Sequence, residues 1–474
     1  MPDDIFDLIV IGAGPGGYTA ALRASQLGMR TALIDRRDTP GGVCLHEGCI
    51  PAKALLDSSE LYARAQNEFA GHGILAGTLT LDLARMMSRK EEVVKKMGHG
   101  IAFLLKKHRI RYIQGSAKPA GTRKDGLHVV TVTSPDAPAI PRLINGRRIL
   151  LATGSRPVEL PGLPWDGAVI ISSGEALAFP SVPQHLVIVG GGHIGLELGS
   201  VWNRLGARVT VVEQRSELLP GTDRQVADAL LKTLKKQGMT FLLQSRVAGA
   251  EISDGKARLQ VATGEDIQEL TCDRVLVAAG RTPATDGLGL SEMGVRMDGS
   301  GRILVDENYR TSVPGIHALG DLIPGQLLAH RAMEEGTVFA ERLAGQPSVV
   351  EYEFLPSATY TRPEVASVGQ TEEQLREKSV RYAVGRFPFS ASARARCLDD
   401  ADGFVKILSH EETGTVLGIH VIGPRASELI AEAVTVMAYG GSIEDIALTL
   451  HAHPSLSEAL KESALDAMKK ALHM

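Results

Sequence analysis

The chain has 474 residues, 44% of them hydrophobic and 22% charged, with a formal net charge of −4 and four cysteines. The length suggests about three domains at roughly 150 residues each. The charge gives no electrostatic case for nucleic acid or an acidic membrane surface, and four cysteines in so long a chain make no structural disulfide framework. The first apolar run, Ile5 to Ile11, follows acidic residues, lacks a basic leader and a cleavage signal, and is too short to cross a bilayer. The expected compartment is therefore cytoplasmic and reducing.

Ile5 to Ile11 reads as a buried parallel strand, apolar except for Asp7. It runs into Gly12-Ala-Gly14-Pro-Gly-Gly17, an alanine-rich helix to Leu27 and a second strand from Arg30 to Asp35. Within such a unit Gly12, Gly14 and Gly17 permit a tight turn and close approach of backbone N–H groups to a pyrophosphate, and Asp35 can accept hydrogen bonds from a ribose.

Cys44-Leu-His-Glu-Gly-Cys49-Ile-Pro-Ala-Lys53 follows. The spacing fits a zinc site poorly and a redox disulfide much better. In an unbroken helix five residues rise about 7.5 Å, beyond the usual disulfide Cα range, so a bridge needs a bent turn, which Gly48 can supply. Pro51 suits the first turn of a new helix. Cys49 then lies beside a helix N-terminus, where a thiolate is favoured. Cys272 and Cys397 read as ordinary thiols. Leu81 to His108 reads as a charged, helical, hairpin-like stretch.

The first unit then recurs. Leu186-Val-Ile-Val-Gly190-Gly-Gly192-His-Ile-Gly195-Leu-Glu197 opens a helix and Arg208 to Glu213 forms the next strand, the acid following the first glycine by 23 residues in both copies. A second echo is Ala152-Thr153-Gly154-Ser155-Arg-Pro157 against Ala278-Ala-Gly280-Arg-Thr-Pro283. Two dinucleotides are expected. FAD in the first copy, beside the cysteines, and NAD in the second is the economical assignment, since the first must exchange electrons with sulfur. Glu213 argues for NAD over NADP because a carboxylate repels a 2′-phosphate; Arg215 stands two residues on. The expected fold is α/β: two Rossmann-like dinucleotide-binding domains, residues 1–150 with the cysteines and 151–280, a central segment 281–348 that completes the first site, and an α+β interface domain 349–474. That last part alternates strand-like runs (Gly403 to Leu408, Val416 to Ile422) with helical ones (Ala426 to Tyr439, Leu456 to His473).

With Gly41-Gly42-Val-Cys44 through Lys53, Gly190 to Glu197, Ala318-Leu-Gly320-Asp321, Leu328-Ala-His330 and His451-Ala-His453-Pro-Ser-Leu-Ser-Glu458 in view, the chain resembles the pyridine nucleotide–disulfide oxidoreductase family over nearly its whole length, and within it the branch that oxidises dihydrolipoamide. The resemblance implies that Cys44 meets the substrate and Cys49 faces the flavin. It also places Lys53 near the flavin, paired with Glu197. Asp35, Ala117, Thr153 to Ser155, Asp321 and the stretch Leu327, Leu328, Ala329, His330 would contact FAD. Gly190, Gly192, Gly195, Glu197, Glu213, Val247 and Gly280 would contact NAD. His453 would be the catalytic base, oriented by Glu458 and supplied across a homodimer interface; an imidazole suits that proton transfer and a nearby carboxylate can hold its other nitrogen. His451 reads as structural. The substrates implied are lipoyl-bearing proteins of a 2-oxoacid dehydrogenase or glycine-cleavage type complex.

Three departures from the family pattern stand out: Ala52 where Ser or Thr is usual, His46-Glu47 where Asn and an apolar or basic residue are common, and His193 at a position often aromatic or aliphatic. The alternative is another NAD(P)H-dependent disulfide reductase of the same family. Glutathione-type enzymes usually carry basic residues where Glu213 stands, and mercuric and large thioredoxin reductases use C-terminal cysteines where this chain reads Ala471-Leu-His-Met474. A non-catalytic flavoprotein would need neither the cysteines, Lys53 nor His453.

Overall fold

The computed structural model describes residues 5–473. They fall into two compact units: one holds the residues up to 54 with 84–158 and 280–350, the other 55–83, 159–279 and those from 351 on.

The first unit is built on a seven-stranded sheet in the order Arg111–Gln114, Thr31–Asp35, Ile5–Ile11, Ala137–Leu151, His128–Ser134, Ser116–Thr122. Its first four strands are parallel and the last two antiparallel. Ile316–Ala318, from the central segment, adds in parallel to Ala137–Leu151. Leu8, Ile9 and Val10 are all fully buried: a central parallel strand is covered on both faces, so its sequence runs apolar without alternation. Helix α1 (Pro15–Gln26) starts on Pro15 and buries Ala20, Ala21 and Ala24. Small residues let it close on the helix Ala329–Leu343, where a Cβ added at Gly336 would stand 2.6 Å from the Gly16 carbonyl oxygen.

Two expectations are corrected here. The stretch 81–108 is no hairpin but one unbroken helix, Leu83–Lys107. Its Gly98 makes room for a neighbour, since a Cβ there would meet Thr39 Cγ2 at 2.7 Å. In the second unit the last helix is shorter than Leu456 to His473: it spans Glu458–Ala467, and Lys469 soon afterwards takes a left-handed φ of 59° that a helix cannot absorb.

The second unit carries a parallel sheet in the order Thr240–Leu242, Arg208–Val212, His185–Val189, Arg274–Val277, Ile170–Ile171. Beside it runs an antiparallel meander of Ser245–Ser253, Lys256–Thr263 and Asp266–Cys272, whose middle strand alternates buried and exposed residues as a one-faced sheet does. A five-stranded antiparallel sheet follows: Ser357–Thr359, Glu364–Gly369, Val416–Gly423, Phe404–His410, Tyr382–Pro388. Inside this unit Lys406, 0% exposed, donates to Asp223 at 2.8 Å and to Glu372 at 2.6 Å. Asp223 also caps the helix Arg224–Lys236 through the Gln225 N–H. Burial acts to raise both carboxyls, yet the Lys406 charge and its hydrogen bonds, with His420 acting on Asp223, hold them below the usual range. Among the described residues no helix is long and apolar enough to cross a membrane.

Candidate functional site: two glycine cradles, a dithiol and a His–Glu pair

In the first cradle Gly12 has φ 105°, and a Cβ there would lie 2.3 Å from the Ala152 carbonyl oxygen; one at Gly17 would lie 1.9 Å from the Gly12 oxygen. Gly14 caps α1 without a side-chain hydrogen bond, and a Cβ on it meets nothing within 4 Å. The turn is therefore shut on the sheet side and open in front of the first N–H groups of the helix, the shape a pyrophosphate requires. Asp35 accepts from Ala13 N–H at 2.7 Å and from Arg37 N–H at 3.0 Å.

The second cradle repeats this. Gly190 has φ 114° and stands against the Ala278 oxygen (2.4 Å for a Cβ), Gly195 against the Gly190 oxygen (2.3 Å), and Gly192 faces open space. Helix α2 (His193–Arg204) begins there. Glu213, buried, accepts from Gly191 N–H at 2.6 Å and Arg215 N–H at 2.7 Å. Each acid thus braces its own loop with one lone pair per oxygen and keeps the others for a ribose. Both residue sets fit a dinucleotide.

A strap returns to each loop six residues after the acid, a feature sequence reasoning missed. Gly41 N–H donates to Ala13 O at 2.9 Å and Leu219 N–H to Gly191 O at 3.0 Å. In the first copy the strap leads straight into Gly42, whose added Cβ would be 2.5 Å from Gly14 Cα. The cysteines follow: a short helix Gly42–Glu47 ends at Gly48, and a new helix spans Cys49–Asn67. This break brings Cys44 and Cys49 together as hydrogen-bonded thiols. That hydrogen bond, and then burial, push the Cys44 thiol up, while the Lys53 charge one turn beyond Cys49 pulls the other way. Tyr18 of α1 faces the pair, its hydroxyl raised by burial and by Cys44.

The paired strands Ser155–Pro157 and Arg281–Pro283 gather the next set. Ser155 donates to Asp321 at 2.5 Å and accepts from Arg281 Nε at 2.7 Å. Thr153 donates to Ala284 O at 2.7 Å, and Gly154 has φ 73° with open space before it. Gly280, φ 129°, likewise faces open space and falls in the first unit. Arg281 had no assigned role; its place in the echo of Gly154-Ser155-Arg156-Pro157 was the available signal. Leu327 and Leu328 lead into the helix that begins at Ala329 and His330. Ala117 packs on the core beneath.

In the second unit Glu197 is buried on α2 and accepts from Tyr360 N–H at 3.0 Å, while His193 Nδ1 meets Thr359 Oγ1 at 2.6 Å. Val247 lies on the meander, against its core. His453, its side chain 74% exposed, holds its Nδ1 2.9 Å from Glu458 Oε1. The other Glu458 oxygen accepts Ser455 N–H at 2.8 Å. Burial acts to raise Glu458, but the Ser455 N–H, the His453 hydrogen bond and the nearby imidazole charge lower it overall. His451 meets Glu432 Oε1 through Nε2 at 2.7 Å. Among the described residues no group of His, Cys, Asp and Glu could hold a metal ion.

Residues 6–336 match the model of the pyridine nucleotide-disulphide oxidoreductases, and 355–464 that of their dimerisation domain. The mitochondrial dihydrolipoyl dehydrogenase of Pisum sativum is 45% identical over 99% of this chain and 92% of its own length. The leghemoglobin reductase of Vigna unguiculata is 47% identical over 97% of this chain and 87% of its own. The crystal structure of LpdA from Mycobacterium tuberculosis superposes with a TM-score of 0.88 at 28% identity, covering 96% of this chain and 98% of that one. Matched over nearly its whole length, the chain belongs to the pyridine nucleotide-disulphide oxidoreductase family.

Proposed function

We propose that the chain oxidises dihydrolipoamide borne on lipoyl proteins of a 2-oxoacid dehydrogenase or glycine-cleavage type complex and reduces NAD+ to NADH. It does so as a homodimer in the cytoplasm, where a reducing environment leaves a cysteine pair to catalysis. The observation that carries the reading is the Cys44–Cys49 pair strapped onto the first glycine loop, with Gly42 over Gly14. Gly12, Gly14, Gly17 and Asp35 would hold FAD, which would supply a carrier of the electron pair between the dithiol and the NAD+ that Gly190, Gly192, Gly195 and Glu213 would hold.

The chain's own residues do the rest. Glu458 accepts from His453 Nδ1–H, which leaves the Nε2 lone pair as the base. His453 takes the proton of one substrate thiol; that thiolate attacks the Cys44 sulfur of the oxidised pair, and Cys49 leaves as a thiolate. The second substrate thiol then displaces Cys44, closing the lipoyl disulfide, and Cys44 leaves as a thiol. One disulfide is reduced and one formed. Glu213 sets the preference for NAD, and Lys53, Glu197, Asp35, Ser155 and Asp321 position the cofactors. A second copy supplies His453: the residue is exposed in the single chain, as are Tyr439, Leu448 and Leu450 shortly before it in the sequence, and all four lie within the matched dimerisation domain.

Two variants test this. Cys44→Ser should abolish lipoamide turnover while FAD stays bound. His453→Gln should lower it by roughly 10²–10⁴, with NADH oxidation by an external acceptor largely kept. Mixed under conditions of subunit exchange, the two variants should regain activity, because a mixed dimer holds one site with both native residues. Verified exchange without recovery places Cys44 and His453 of a site on one chain. Turnover of a different disulfide with NADPH, and none of dihydrolipoamide with NAD+, would point to another reductase of the family.

A further inference from the structure

The two glycine loops read Gly12-Ala-Gly14-Pro15-Gly-Gly17 and Gly190-Gly-Gly192-His193-Ile-Gly195. In each the third residue faces open space and the fourth opens the helix. The first loop sets Pro15 at that fourth place, which brings neither a charge nor an N–H. The second sets His193 there, an exposed imidazole at the helix end that receives a phosphate.

The ring is tethered. Its Nδ1 lies 2.6 Å from Thr359 Oγ1, and Thr359 is fully buried on the strand Ser357–Thr359. One turn along the same helix face, Glu197 accepts from the N–H of the next residue, Tyr360, at 3.0 Å. Two hydrogen bonds therefore stitch the first turn of α2 to residues 359 and 360. A hydroxyl both donates and accepts. It gives its proton to a bare Nδ1 and accepts one from Nδ1–H, so the tether serves the neutral ring and the imidazolium alike. The titratable groups on the elements that meet here are Glu197 on the same helix, Tyr360 beside Thr359, and Glu213, which braces Gly191. The two carboxylates favour the imidazolium, and the positive end of the helix opposes it.

We propose that His193 makes nucleotide binding in the second cradle proton-linked: a pyrophosphate at the helix end draws a proton onto the tethered ring, and affinity for NAD(H) rises as pH falls through the titration of that imidazole. The inference rests on the reading that the second cradle holds NAD. Its sign follows from reciprocity. An anion beside the ring favours the charged form, so the complex holds the proton more tightly than the free protein does. The proton must then favour the anion by the same factor.

The test is calorimetric titration of the flavin-loaded protein with ADP-ribose, which carries the pyrophosphate without the nicotinamide and undergoes no redox step. Affinity should rise roughly 5-fold or more from about pH 8.5 to about pH 6. Titrations in buffers of different ionisation enthalpy should show protons taken up on binding. His193→Gln should bind at the alkaline level of the parent throughout, without that uptake. His193→Lys, charged at every pH used, should bind near the acid level throughout. Thr359→Val, which removes the tether alone, should show a smaller pH effect than the parent. An undiminished pH dependence in His193→Gln overturns the proposal. So does a parent that takes up no protons, and that measurement decides if His193→Gln does not fold. Gly195→Ala separates the two readings: unaltered ADP-ribose affinity in it overturns the assignment of NAD to the second cradle. Weakened binding there, with the pH dependence intact in His193→Gln, overturns the proton linkage alone.

Discussion

The two glycine cradles are one design with two contents. Both close the turn against the sheet with a first glycine at positive φ, both seat the third against the carbonyl of the first, and both brace the loop with the acid at the end of the next strand. Both even return a strap to the residue after the first glycine. They part company at the strap. The first uses Gly41 and Gly42 to lay backbone on the loop and so delivers two sulfurs to the cradle; the second uses Leu218 and Leu219, sets the Leu218 side chain against Gly191, and goes on to Asp223 and the buried Lys406 cluster. Nucleotide binding belongs to the repeated part, and chemistry to the part that differs.

The comparison breaks most readily at the third glycines. Gly17→Ala drives a Cβ to 1.9 Å from the Gly12 oxygen, and Gly195→Ala one to 2.3 Å from the Gly190 oxygen. Neither backbone oxygen can give way cheaply. Gly17→Ala should yield protein without flavin. Gly195→Ala should stay yellow, with affinity for NAD(H) down roughly 10–100-fold, the equivalent of an overpacking cost of about 1–3 kcal/mol. Flavin absorbance and NADH binding, measured on both, decide the matter; loss of flavin from both would show that the cradles are not separable.

A smaller effect sharpens the contrast between the acids. Glu213 facing a ribose should favour NAD(H) over NADP(H) by a factor on the order of 10², about 3 kcal/mol, and Glu213→Gln should erase most of it. Equal kcat/KM for the two cofactors in the unaltered protein would move the determinant to Arg215.

The smallest effect concerns the His453–Glu458 pair, which neither cradle contains. The Glu458 carboxyl is held below its ordinary value near 4.5. Its contribution to stability is therefore complete above that value and lost as pH falls through the lower, folded one. Partial exposure limits it to about 1 kcal/mol or less. Urea denaturation of Glu458→Gln should show a deficit at neutral pH that closes on acidification below about pH 4.5; a deficit constant with pH would mean that the carboxylate is not the source.

What could be read in the sequence follows from how local each requirement is. Phosphate approach demands glycine at fixed offsets, and a doubly covered strand demands an apolar run, so both cradles and their strands are visible in short stretches. The Cys44–Cys49 break was legible for the same reason: five residues of helix are too long for the pair, and Gly48 lies between them. The echo marked the position of Arg281 but not its bond to Ser155, 126 residues away; nor were the Lys406 cluster, with Asp223 183 residues away, and the His451–Glu432 contact legible. The hairpin-like stretch expected over 81–108 is one helix, Leu83–Lys107, and its Gly98 answers to Thr39 outside the helix.

The Lys406 cluster also bears on heat. Withdrawing a charge from water costs less as temperature rises, whereas the gain from burying hydrocarbon levels off. Three charges sealed at Lys406, Asp223 and Glu372 are thus a poor bargain in the cold and a better one near the melting point. Apolar side chains of matching volume in their place would give a chain firmer at 25 °C whose advantage shrinks steadily on warming, and the cluster would show itself in the slope of stability against temperature rather than in its value at any one temperature.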